Sequence, residues 1–128
     1  MSFGRLETWG CGVLELVDHD AVLELRMVYP PVNALRKELL CALREAVAQA
    51  PEQGARALVI SGLPGYFSAG LDVPHLLGLP SAEVETTFAE LLSLMRVLGT
   101  SSIPVAAAVT GHSPAGGAVI ALFCDYRV

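Results

Sequence analysis

The chain has 128 residues, 53% hydrophobic and 16% charged, and a formal net charge of −5. That length suits one domain, and the composition supports a packed core and excludes a disordered chain. Lys and Arg are scattered rather than clustered, so no basic face is available for a nucleic-acid backbone.

Residues 13–17 alternate apolar and polar side chains, Asp18-His19-Asp20 interrupts them, and residues 21–28 alternate again. Two such runs around a short polar break predict a β-hairpin. Tyr29-Pro30-Pro31 stops the second strand, because proline offers no N–H to a ladder. Asn33 then fits a helix N-cap. Leu35, Leu39, Leu43 and Val47 recur every four residues, the apolar stripe of a helix that ends near Pro51 and Gly54.

Residues 57–60 form a short apolar run and predict a buried strand. Residues 63–79, punctuated by Pro64, Pro74, Gly65, Gly70 and Gly78, predict a long loop of the kind that often carries function. Ser81 is placed as the cap of the next helix, with Glu83 and Glu85 near its positive end. Val84, Phe88, Leu91, Met95 and Leu98 mark the buried face expected of that helix. Residues 104–109 predict another buried strand, Gly111 to Gly117 a second turn, and residues 118–123 a buried helix. A last strand begins near Tyr126. Alternating strands and helices argue for an α/β fold with parallel strands. With no helix after Tyr126 to cover the sheet, the chain reads as the N-terminal part of a single larger domain.

Cys11, Cys41 and Cys124 form no CxxC pair and read as reduced, buried thiols. His19, His75 and His112 lie too far apart in sequence for metal-ligand spacing. The first eleven residues suggest neither a signal nor a transit peptide, and the apolar residues 103–109 are too few to span a bilayer. A soluble, cytoplasmic protein is expected, or a mitochondrial one if a presequence precedes this chain.

Two segments carry the chemistry. In Phe67-Ser68-Ala69-Gly70-Leu71-Asp72, Gly70 allows close approach of the main chain and the small neighbours leave that approach open. Pro114-Ala115-Gly116-Gly117 leads directly into an apolar helix, whose first N–H groups carry partial positive charge. One N–H from each segment would serve a carbonyl oxygen that gains negative charge in a transition state.

These segments, with Gly111-His112-Ser113 before the second and Cys124-Asp125-Tyr126-Arg127 after it, closely resemble the crotonase (enoyl-CoA hydratase/isomerase) superfamily. Pro31-Val32-Asn33-Ala34-Leu35 and the preceding hairpin fit the same pattern. The wording Ser-Ala-Gly-Leu-Asp and Pro-Ala-Gly-Gly is most similar to the Δ3,Δ2-enoyl-CoA isomerases of fatty-acid oxidation. The resemblance implies a ClpP/crotonase-like α/β spiral of ββα units, truncated here before its C-terminal helices. It implies an acyl-CoA thioester as partner, with CoA part of the substrate and no separate cofactor or metal. The backbone N–H groups of Leu71 and Gly116 would form the oxyanion hole, and Ala69, Gly70, Asp72 and Val73 would line the thioester channel. Members generally form homotrimers or hexamers, so oligomerisation is expected on the same ground.

Hydratases of this family carry one of two catalytic glutamates three residues after the second oxyanion-hole glycine. That position is Val119, which cannot transfer a proton. The resemblance therefore leans to a one-carboxylate isomerase. Its remaining glutamate falls, in the family, beyond the Cys-Asp-Tyr-Arg segment and so past Val128. The 128 residues alone are expected to be inactive. A hydratase, another one-carboxylate member such as a thioester hydrolase or dehalogenase, and a non-catalytic acyl-CoA-binding module stay open.

Other chemistries fit less well. Gly111-His112-Ser113-Pro114-Ala115 resembles a nucleophile elbow, but the residue after its serine is proline, which has no N–H for an oxyanion hole. Gly111 to Gly117 lacks dinucleotide-binding spacing. His112 reads as a local hydrogen-bonding group, His75 as a lone loop histidine, Cys124 as a small hydrophobe, and Glu83, Glu85 and Glu90 as solvated carboxylates.

Overall fold

A computed structural model describes residues 6–128. The predicted hairpin is formed by β2 (Leu14–His19) and β3 (Val22–Met27), paired antiparallel from Leu14↔Met27 to His19↔Val22. Asp20 and Ala21 make its two-residue turn with φ of 56° and 73°, both left-handed, as a tight hairpin matching strand twist requires. Period-two alternation puts Leu14, Leu16, Leu23, Leu25 and Met27 on one face, all buried. A short strand absent from the sequence reading, β1 (Glu7–Trp9), pairs antiparallel with β2.

After Met27 the chain forms β4 (Ala34–Leu35) and then α1 (Lys37–Gln49). Asn33 does not cap this helix: Arg36 flanks it without a side-chain cap, and Asn33 sits three residues earlier with φ 51°. Leu39, Leu43 and Val47 of the expected stripe are buried, joined by Leu40, Ala42 and Ala46, whereas Leu35 belongs to β4. Strand β5 (Ala57–Ser61) follows and lies parallel to β3.

The stretch expected to be one loop is instead built from β6 (Gly65–Tyr66), β7 (Gly70–Leu71) and α2 (Val73–Leu77). Two-residue strands are too short to leave a periodic signal, and the prolines that suggested irregularity include one in the first turn of α2, where proline is tolerated. Then come α3 (Ser81–Gly99), β8 (Val105–Ala107), β9 (Gly111–His112), α4 (Gly116–Phe123) and β10 (Tyr126–Arg127). Ser81 is the first helical residue of α3 rather than its cap, and Pro80 flanks it.

The main sheet runs β1-β2-β3-β5-β8-β10, antiparallel through the hairpin and parallel from β3 onward. Two small parallel pairs, β4 with β7 and β6 with β9, draw distant loops together. Helices α1 and α3 pack on each other, but the buried side of α3 is Thr87, Leu91, Leu94 and Leu98. Phe88, expected inside, is 47% exposed, so the contact face is rotated from the one read off the sequence. No helix among the described residues is long and apolar enough to cross a membrane.

Glu90 is not a free surface carboxylate. Its Oε2 accepts a 2.7 Å hydrogen bond from Nε of Arg44, tying α3 to α1. The Arg44 guanidinium holds the Glu90 carboxyl below its ordinary value, against an opposing push from burial. A carboxylate with a lowered folded pKa stabilises the fold above its unfolded pKa, and that contribution is lost as pH falls through the folded value. Glu90→Gln should therefore cost about 1 kcal/mol at pH 7 and nothing once acid has titrated the wild-type carboxylate. Urea midpoints from pH 7 down to pH 3 check this; a gap between the two proteins that does not change with pH would rule the ion pair out as its source.

Candidate functional site

The site is assembled by main-chain contacts around one buried side chain. Asn33 Nδ2 donates to the carbonyls of Met27 (3.1 Å) and Phe67 (3.0 Å), while its Oδ1 accepts from the Tyr29 N–H at 2.7 Å. Ser68 Oγ donates to the Asn33 carbonyl at 2.7 Å and accepts from the Gly70 N–H at 3.1 Å. The Ala69 N–H donates to Val32 O and the Phe67 N–H to His112 O. The turn after β3, the segment leading into β7, and β9 are thus one hydrogen-bonded unit.

This unit brings the two glycine segments into contact. Gly70 has φ +87°, a left-handed backbone that side chains resist. A Cβ placed on Gly70 would lie 2.9 Å from the Gly116 nitrogen, and one on Gly116 would lie 3.5 Å from the Leu71 nitrogen. Gly116 opens α4, where the first N–H groups have no intrahelical acceptor. Before it, Ala115 holds φ 48°, a conformation uncommon for a residue with a side chain. Gly117 is equally constrained by space, since a Cβ there would meet Ser68 O at 2.2 Å. The Gly70-Leu71 main chain and the start of α4 are thus held against each other by the fold rather than by mobile side chains.

Asp72 follows directly. Its Oδ1 accepts from the His75 N–H at 3.2 Å, capping α2, and its Oδ2 accepts from Nε of Arg36 at 2.9 Å. The Arg36 guanidinium, then the His75 N–H, hold the Asp72 carboxyl below the usual carboxylate range. Both oxygens thus accept a hydrogen bond that favours the charged carboxylate and weakens it as a base. Sequence reasoning missed Arg36; its only signal was a cation at the foot of a helix, which is too common to single out.

Two cavities adjoin the ion pair. One, of about 450 Å³, is lined by Tyr29, Pro31, Ala69, Gly70, Leu71 and Asp72 among others, so three of the four predicted channel residues share one wall with Leu71. Val73 and Gly116 are not part of that wall, and Val73 is 56% exposed on α2. The other, of about 290 Å³, lies between α1, α2 and α3 and includes Leu35, His75, Leu76 and Thr87.

The remaining candidates lie elsewhere or do other things. His112 packs against Tyr66 with the rings tilted by 47° and centroids 5.3 Å apart, rather than serving Ser113, whose buried Oγ has no partner among the described residues. Cys124 is buried and its thiol is pushed up to about 11, mainly by burial, in keeping with a small hydrophobe. Cys11, expected inside, is exposed.

The sequence model described as enoyl-CoA hydratase/isomerase matches residues 18–128. The chain belongs to this family. Among enoyl-CoA hydratase/isomerase relatives it is 37% identical to enoyl-CoA delta isomerase 1, mitochondrial, of Mus musculus, over 84% of this chain and 37% of that protein. It is 35% identical to a probable enoyl-CoA hydratase of Mycobacterium avium, over 85% of this chain and 43% of that one. The structure also matches human mitochondrial delta3-delta2-enoyl-CoA isomerase with a TM-score of 0.83 and 31% identity, covering 90% of this chain and 46% of that chain. The expected α/β crotonase fold is therefore met, and the chain spans less than half the length of these relatives. An isomerase and a hydratase match at nearly equal identity, so identity alone does not assign the reaction.

Proposed function

We propose that this chain supplies the thioester-polarising half of an acyl-CoA site, with the N–H groups of Leu71 and Gly116 as the oxyanion-hole donors. The contact between the Gly70-Leu71 main chain and Gly116 at the start of α4 is the observation that carries this reading. Ala69, Gly70, Asp72 and Val73 border the path of the thioester, and CoA enters as part of the substrate. Hydrogen bonds to the thioester oxygen acidify the neighbouring carbon and stabilise the enolate formed when its proton leaves. Each donor of this kind contributes roughly 2.7–4 kcal/mol of transition-state stabilisation.

For the reaction we favour moving a 3-enoyl-CoA double bond to the 2-trans position, a step of fatty-acid oxidation. Val119, on the first turns of α4, has no proton to exchange, which argues against two-carboxylate hydration. One carboxylate that removes and returns a proton suffices for isomerisation. Asp72 is a poor choice for it, because the bonds from Arg36 and the His75 N–H lower its pKa and weaken it as a base. That weakness supports a second reading, an acyl-CoA-binding module that polarises the thioester without turning it over. A trimeric or hexameric assembly and a cytoplasmic location complete the proposal.

A chromophoric 2,4-dienoyl-CoA tests it, because hydrogen bonds to the thioester oxygen shift its absorption to longer wavelength. The chain should produce a red shift that excess dienoyl-CoA saturates; no shift and no binding would sink both readings. Because the 128 residues alone are expected to be inactive, turnover assays with 3-enoyl-CoA and 2-enoyl-CoA side by side, run on a full-length protein that contains this chain, separate the classes. Double-bond migration supports the isomerase, binding without turnover the module, and hydration of 2-enoyl-CoA overturns the subclass.

A further inference from the structure

We propose that Arg36 is a positioning residue: through its ion pair with Asp72 it fixes the start of α2, and with it the Leu71 N–H. The inference rests on the oxyanion-hole reading above and adds a residue to it.

Leu71 and Asp72 are adjacent, so whatever holds the Asp72 carboxylate constrains the peptide that carries the donor. Helix α2 has little else to hold it. It is five residues long, too short to be stable by its own hydrogen bonds. Leu76 is its one buried residue; Val73 and Leu77 are 56% and 83% exposed. Packing therefore leaves its first turn loosely specified, and polar contacts at Asp72 carry the placement.

Arg36 is well placed to act as an anchor. It follows β4, which pairs Leu35 with Leu71, and it flanks α1, whose Leu39, Leu40 and Leu43 are fully buried. Its guanidinium carbon lies 5.9 Å from the centre of the Tyr29 ring, and the Tyr29 N–H is itself held by Asn33. The cation thus sits between an aromatic ring on a fixed turn and the Asp72 carboxylate. The same pair borders both cavities, so its loss would also remove the partition beside the donor. An exposed ion pair of merely structural role contributes little. This one differs in that Asp72 joins two segments at the residue next to the proposed donor.

The test uses the 128-residue chain with Arg36→Ala and Arg36→Lys. First, without ligand, amide hydrogen exchange is followed at His75 and Leu76, whose N–H groups bond to Asp72. Arg36→Ala should speed exchange there and leave the β2–β3 hairpin unchanged, and Arg36→Lys should restore part of the protection. Second, at saturating 2,4-dienoyl-CoA, Arg36→Ala should lose most of the red shift and Arg36→Lys regain part of it. A full red shift at saturation in Arg36→Ala overturns the proposal, as does unchanged protection at His75 and Leu76. If the wild-type chain gives no red shift, the oxyanion-hole reading fails instead, and the exchange measurement still decides whether Arg36 fixes this segment.

Discussion

Gly70→Ala is expected to abolish the red shift of bound 2,4-dienoyl-CoA and, in any assay with turnover, to lower the rate on the order of 10²-fold. The added Cβ would lie 2.9 Å from the Gly116 nitrogen, 3.2 Å from the Ala115 Cβ and 3.3 Å from the Pro114 carbonyl oxygen. None of these is the far end of a flexible side chain, so the two segments must move apart. A left-handed backbone with a side chain also costs about 1–2 kcal/mol. Gly65→Ala separates the two effects, because Gly65 has φ +84° and open space around the site of its Cβ. Both variants should lose stability in urea, Gly70→Ala the more because of its close contacts; only Gly70→Ala should lose the red shift. An intact shift in Gly70→Ala would mean that the junction of these segments is not where the thioester oxygen sits.

How much of this was legible beforehand depends on the length scale of each element. The hairpin was readable because six-residue strands carry three full alternations, and the α1 stripe because thirteen residues cover more than three turns. Strands β4, β6, β7 and β9 have two residues each and exist only through long-range pairing, so no local pattern announces them. Phe88 was misplaced because helical spacing gives the width of an apolar stripe without saying which of its edges meets a neighbour. Leu71 and Gly116 were singled out through the wording of their motifs, not through periodicity; their proximity needed the fold. Asp72 shows the opposite limit. A carboxylate beside a glycine turn suggests contact with a substrate, and only the coordinates reveal that Arg36 and α2 occupy it.

Asn33→Ala should cost about 3–5 kcal/mol, the largest stability loss expected of a single polar substitution here. Asn33 is fully buried, and its side chain satisfies the Tyr29 N–H and the carbonyls of Met27 and Phe67. Alanine would leave these main-chain groups without that partner, at about 1–3 kcal/mol for each one left unsatisfied. It would also hold φ 51° without the local polar contacts that make asparagine tolerable in the left-handed region. Asn33→Gly keeps the conformation accessible but loses the same bonds, so the gap between Gly and Ala variants measures strain less the extra entropy that glycine loses on folding. Asn33→Asp keeps an acceptor for Tyr29 but turns two donor positions into acceptors facing carbonyl oxygens, and should be at least as damaging as Ala. Urea unfolding with linear extrapolation reads all three. If Asn33→Ala lost under about 1 kcal/mol, the turn after β3 and the Phe67-Ser68 segment would have to be held together by something other than this side chain. The placement of Gly70 and Leu71, which hang from the same segment through Ser68, would then need a different cause.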